Sequence, residues 1–285
     1  MTIGIAWVSK RNDGRRYLNF ATDSRTRGGM VLDCSPKIFT LPRSDCAICF
    51  AGASAATYPL MIQLANAISA HQPARERSLD IHTLKPHVLR VFSDMVGSIE
   101  DAAAPIGKSD VQFMFGGYSW LQKDFALWTI YYRPQFKDFH ARPCESFHPL
   151  LNRIAFVGDR AKEARSSLLK RLNDCADDVE SSHIEYLPFT VLRDMLRKAD
   201  LSSSIGGPPQ LIRIAEHMNT RVIAVRWPGG QSEAVTLMGR RLFEYENIDS
   251  WVLDPDTLSI SRSRSFGYRS DKVLTCSAED DELKE

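Results

Sequence analysis

Thr2-Ile-Gly-Ile-Ala-Trp-Val8, Tyr17-Leu-Asn-Phe-Ala-Thr-Asp-Ser-Arg25, Ser35-Pro-Lys-Ile-Phe39 and Cys49-Phe-Ala-Gly52 are the runs whose reading decides the fold. In the first two, apolar residues recur at every second position and β-branched or aromatic types are common, which predicts two strands. Between them lies Arg11-Asn-Asp-Gly14. Asn, Asp and Gly tolerate the positive φ that a tight hairpin turn needs. The hairpin carries the N-terminal residues into a sheet instead of leaving them to fray.

That placement has a chemical consequence. If Met1 is removed, which a small second residue such as threonine normally permits, the chain begins at Thr2. A threonine hydroxyl is a poor nucleophile until a base takes its proton. A free α-amine, with a pKa of roughly 7.7–8.0, is partly available as that base at neutral pH. Lys37 could depress the amine's pKa through like charge, and Asp23 could hold Lys37 in place. Gly52 follows an apolar strand and precedes an expected helix, so its backbone N–H could serve the oxyanion of an acyl-transfer intermediate.

Taken in order, Thr2, Asp23-Ser24-Arg25, Lys37-Ile38-Phe39 and Ala51-Gly52 resemble the catalytic half of proteasome β-subunits and their bacterial relatives, within the N-terminal-nucleophile hydrolases. Lys37 follows Asp23 by 14 residues and Gly52 follows Lys37 by 15. The resemblance extends over roughly residues 2 to 227 and implies an α+β fold, the four-layer αββα sandwich. It implies a catalytic set of Thr2, Asp23, Lys37 and Gly52, joined later by Asp200 and Ser203 ahead of the Gly206-Gly207 pair. It also implies a peptide or small amide as substrate, no cofactor and no metal, and a homo-oligomeric ring or dimer-based assembly. Whether an ATPase unfoldase works with it is left open.

Two departures favour a second reading. In the family a serine follows the glycine at the start of the third helix, whereas here Gly158 is followed by Asp159. An acid facing the Thr2 amine would favour its protonated form and weaken it as a base; Asp159 reads equally well as a helix N-cap. Ile205 shifts Ser204 relative to the glycines. The alternative function is therefore a non-peptidolytic homologue acting as an assembly or binding module, with a small-amide hydrolase between the two.

Composition sets the outer bounds. With 285 residues, 44% of them hydrophobic, the chain can bury a substantial core. A formal net charge of +1 offers no global attraction to nucleic acid or an anionic membrane. No run approaches the ~18 apolar residues of a membrane span, and no signal peptide is visible. Six scattered cysteines suit reduced thiols and a cytoplasmic location. Cys46 and Cys49 lie three apart on an expected strand, so their side chains should leave by opposite faces and read as core. The seven histidines show no metal-binding spacing.

Helices are expected at 54–71, 81–101, 160–173 and 190–199, from apolar residues recurring near the 3.6 period. Further strands are expected at 111–115, 125–132, 137–141, 153–158, 210–216 and 221–227. The aromatic cluster Trp128, Tyr131 and Tyr132 alternates strandwise and reads as core, and Arg11, Arg15 and Arg16 as a solvated turn. The domain division is residues 1–227 for the proteasome-like unit, 228–275 for an extension with short strands at 234–238, 242–245 and 251–253, and 276–285 for an acidic disordered tail.

Overall fold

The structure, a computed structural model, describes residues 2–11, 13–28, 30–99, 111–144, 146–174, 184–229 and 232–262. The expected acidic tail, 276–285, lies outside the described residues.

The expected hairpin is present. β1 (Gly4–Lys10) pairs antiparallel with β2 (Arg16–Thr22), with Gly4 opposite Thr22 and Lys10 opposite Arg16. A short ribbon, β3 (Thr26–Arg27) with β4 (Val31–Leu32), leads to β5 (Ile38–Thr40) and β6 (Cys46–Gly52). Helices α1 (Ser54–Ala70), α2 (Gln72–Arg75) and α3 (Ile81–Gly97) follow. The Asp80 carboxylate caps α3 by accepting the His82 N–H at 2.9 Å. Strands β7 (Val111–Ser119), β8 (Asp124–Arg133), β9 (Asp138–Pro143), β10 (Ser146–His148) and β11 (Leu151–Val157) precede helices α4 (Ala161–Asp174) and α5 (Leu187–Arg197). The chain then forms β12 (Gln210–Ala215), β13 (Thr220–Gly229), β14 (Ser232–Leu237), β15 (Arg240–Arg241), β16 (Trp251–Leu253) and β17 (Ile260–Arg262).

These strands build two principal sheets. One has ten strands along the path β10-β11-β1-β2-β12-β13-β14-β15, with β16 and β17 attached at β13; the other has five, β5-β6-β7-β8-β9. Strand alternation sorts the apolar side chains into three clusters. Ala6, Leu18, Phe20 and Ile212 of the larger sheet meet Ala47, Cys49, Met114 and Leu127 of the smaller one. On its other face the larger sheet sends Ile5, Trp7 and Leu211 against Leu168 of α4 and Phe189 of α5. The smaller sheet sends Ile48, Phe50 and Phe113 against Leu64 of α1 and Phe92 of α3. Cys46 and Cys49 leave β6 on opposite faces, one toward the helices and one toward the other sheet, as their spacing requires. Trp128 and Tyr132 are core, and Tyr131 packs edge-on against His140.

Two details differ from the sequence reading. Residues 242–245 do not form the expected strand. The described ladder ends at Arg241, the Glu246 carboxylate takes the Phe243 N–H, and the Phe243 and Tyr245 rings stack on each other in solvent. Arg16 is not a free turn residue: it reaches Asp124 at 2.8 Å and Glu216 at 2.6 Å. Strands β14 to β17, beyond the expected 227 boundary, continue the larger sheet through β13.

Candidate active site

Register brings the site together. Thr2 lies two residues ahead of the start of β1, and β1 is flanked by β2 on one side and β11 on the other. Gly4 lies opposite both Thr22 and Val157, so Asp23, one residue past β2, and Asp159, two residues past β11, arrive beside Thr2 from two directions. The Asp23 N–H donates to the Ile3 carbonyl at 3.2 Å and continues the hairpin ladder one step further. From the facing sheet, Lys37 enters just ahead of β5, with its carbonyl accepting the Phe50 N–H at 3.1 Å.

Three of the expected residues meet. Lys37 Nζ donates to Thr2 Oγ1 at 2.8 Å and to Asp23 Oδ1 at 2.8 Å. All three are buried. Burial pushes the Lys37 ammonium below its ordinary range, while the Asp23 charge opposes the shift. Burial likewise pushes the Asp23 carboxyl up, against Lys37 and the backbone N–H groups that favour its charge. Those donors are Ile3 at 3.1 Å, Arg25 at 3.1 Å and Gly206 at 3.3 Å. The carboxylate is thus held from three chain segments.

Asp159 forms the other wall. Its Oδ1 accepts the Thr2 main-chain N–H at 2.7 Å. Burial works against its charge, but the Ser204 hydroxyl and the Thr2 N–H hold its carboxyl below the ordinary range. The N-cap expectation for Asp159 gives way to this contact: the side chain turns to Thr2. Gly158 makes the approach possible. It has φ +99°, and a Cβ there would lie 1.9 Å from the Thr2 carbonyl oxygen.

Gly52 ends β6 opposite Val111, at φ +123°, a conformation suited to glycine at the step into α1. Asp200 and Ser203 sit in an exposed loop, and their side chains bond each other at 2.8 Å. The Ser202 and Ser203 hydroxyls hold the Asp200 carboxyl down to about 2. The loop is tied to the site through backbone: Arg25 donates to the carbonyls of Asp200 and Ser203, and its guanidinium grips Asp33 at 2.6 and 2.8 Å. Within this loop it is the Ser204 hydroxyl that favours the Asp159 charge.

Gln210 escaped the sequence analysis. It is fully buried; its Oε1 accepts the Lys37 N–H at 2.8 Å and the Ile38 N–H at 3.3 Å, and its Nε2 donates to the Ser35 carbonyl at 2.7 Å. It joins the larger sheet to the segment that delivers Lys37. A polar residue opening an otherwise apolar strand, Gln210-Leu-Ile-Arg-Ile-Ala215, was the available signal. Among the described residues no group of three or more His, Cys, Asp or Glu converges at metal-binding distance.

The stacked sheets and the cluster at the head of β1 define a mixed α/β fold. Among solved structures, the chain is similar to a mutant of Anbu from Hyphomicrobium sp. strain MC1, at 19% identity over 84% of this chain and 89% of that one, with a TM-score of 0.51. At that identity the likeness establishes the fold. No family model matches the chain, and no curated protein matches it. Among the described residues no helix is long and apolar enough to cross a membrane.

Proposed function

We propose that the chain is an N-terminal threonine hydrolase of the proteasome type, cleaving a peptide or other amide bond, on a four-layer αββα sandwich. One observation carries the proposal: a buried lysine donates to the Thr2 hydroxyl at 2.8 Å while a buried aspartate holds that lysine at 2.8 Å. This pairing of hydroxyl, cation and orienting acid is what a poor nucleophile requires.

With Met1 removed, Thr2 Oγ attacks the substrate carbonyl carbon and its proton passes to the Thr2 amine, directly or through water. The Lys37 ammonium stabilises the developing alkoxide, and Asp23 holds Lys37 in place. The Gly52 N–H receives the oxyanion of the tetrahedral intermediate. The amine then gives its proton to the leaving nitrogen, and an acyl ester forms on Thr2. Water, deprotonated by the amine, hydrolyses that ester and frees the hydroxyl. Asp200 and Ser203 act at a remove, through the Arg25 contacts that brace the Asp23 turn. The working form is a cytoplasmic homo-oligomer.

A second reading, a non-peptidolytic assembly or binding module, draws on Asp159. An acid 2.7 Å from the Thr2 nitrogen stabilises the charged amine and holds back the base. One experiment separates the two. The intact mass of purified protein reports whether Thr2 carries a free amine, and a peptide epoxyketone, which needs both its hydroxyl and its amine, is then added. A single adduct, lost in Thr2→Ala, supports the hydrolase. A protein lacking Met1 that assembles but takes no adduct overturns it in favour of the binding module.

A further inference from the structure

A cavity of about 750 Å³ opens at the far end of the larger sheet. Thr2 and Arg11 bracket β1 (Gly4–Lys10), and nine residue steps of extended chain span about 30 Å, so this cavity is remote from the Thr2 cluster. Among the described residues its walls carry Arg11, Arg15, Arg213 and Arg221 against only Asp13 and Glu185. The two acids are already engaged: Glu185 by Arg213 at 2.7 Å and Arg11 at 3.7 Å, and Asp13 by Arg15 at 3.8 Å.

Arg213 and Arg221 are direct cross-strand partners on β12 and β13. Like charges placed directly opposite each other destabilise a sheet pair unless something answers them. Arg213 is anchored deep in the cavity by Asn19, Glu185 and the Tyr186 hydroxyl. Arg221 is exposed and forms no ion pair among the described residues. The remaining wall is apolar, with Trp251, Leu258 and Ile260 contributing.

We propose that this cavity is an anion site that takes a carboxylate borne on an apolar body, with the carboxylate between Arg213 and Arg221 and the body against Trp251 and Ile260. The carboxylate can come from a free molecule or from this chain, whose residues 279–282, Glu-Asp-Asp-Glu, follow the cavity wall in sequence and are followed by the apolar Leu283.

The test is calorimetric titration of the full-length protein with N-acetyl-phenylalanine and, separately, with its neutral amide. The carboxylate should bind saturably and the amide about tenfold more weakly or not at all, as expected for a charge-assisted contact to arginine. Arg221→Glu, at an exposed position, should lose binding of the carboxylate without lowering the melting temperature, since it sets an acid opposite Arg213. A full-length variant with residues 279–282 changed to their amides distinguishes the sources: binding seen only in that variant assigns the carboxylate to the chain itself. Equal binding of acid and amide, unchanged binding in Arg221→Glu, or no binding in either wild type or the amidated variant overturns the proposal.

Discussion

The main-chain nitrogen of Thr2 donates to the carboxylate of Asp159 at 2.7 Å, across 157 residues of sequence. When that nitrogen is a free amine, the contact becomes an ion pair and raises the amine pKa above its ordinary roughly 7.7–8.0. The base form then appears only as pH rises through the shifted value. The pH–rate profile of amide turnover should accordingly rise on its acidic limb above about pH 8, and Asp159→Asn should move that limb down by about one unit. A limb that stays put in Asp159→Asn rules out this control of the base.

Removing the nucleophile should leave the fold intact. Thr2→Ala is expected to lower turnover by about three orders of magnitude, since a nucleophile and its base act as one unit. Its unfolding free energy should stay within about 1 kcal/mol of wild type, the size of one lost hydrogen bond. Parallel kinetics and urea denaturation check both halves of this expectation.

Lys37 and Asp23 form a fully buried ion pair. Breaking such a pair from one side leaves an uncompensated buried charge, at about 3–5 kcal/mol. Lys37→Met should therefore be strongly destabilised, and Lys37→Met combined with Asp23→Asn should recover part of the loss. A double-mutant cycle on urea midpoints measures the coupling; additive losses would contradict it.

Gly158 is the narrowest point of the site. A methyl group there meets the Thr2 carbonyl oxygen at 1.9 Å on a backbone at φ +99°. Gly158→Ala should cost about 3 kcal/mol from combined strain and displacement. It should also reduce epoxyketone trapping, because the shift falls on Thr2 itself. Thermal unfolding together with adduct mass reads both effects.

Gln210 supplies the acceptor for two buried N–H groups at Lys37 and Ile38. Gln210→Leu keeps the volume but orphans both, which predicts a loss of about 2–6 kcal/mol at about 1–3 kcal/mol per unsatisfied group. Gln210→Glu retains the acceptor and should fall between it and wild type. Denaturant midpoints rank the three proteins.

Much of this was legible in the order of residues. The β1–β2 hairpin follows from alternation and the Asn-Asp-Gly turn, because both are local: a strand shows its period within a few residues and a turn within four. Helices α1, α3, α4 and α5 announced themselves by apolar recurrence at the helical period, with ends within a few residues of those observed. The spacing of Thr2, Asp23 and Lys37 is likewise readable along the chain, and the cluster forms among those three residues.

What tertiary structure alone decided is which polar groups meet across the sheets. Asp159 reaches Thr2 because β11 pairs with β1 in one register, and a slip of a single residue would turn its side chain to the other face. Ser204, not Ser203, favours the Asp159 charge, while Ser203 turns back to Asp200. Gln210 matters only because β12 lies beside β2 and beneath the Lys37 segment. The Asp159–Thr2 and Gln210–Lys37 contacts join residues more than a hundred positions apart, and no local period encodes them. The chain determines its elements by short-range periodicity, whereas strand register determines which side chains share the dry space between them.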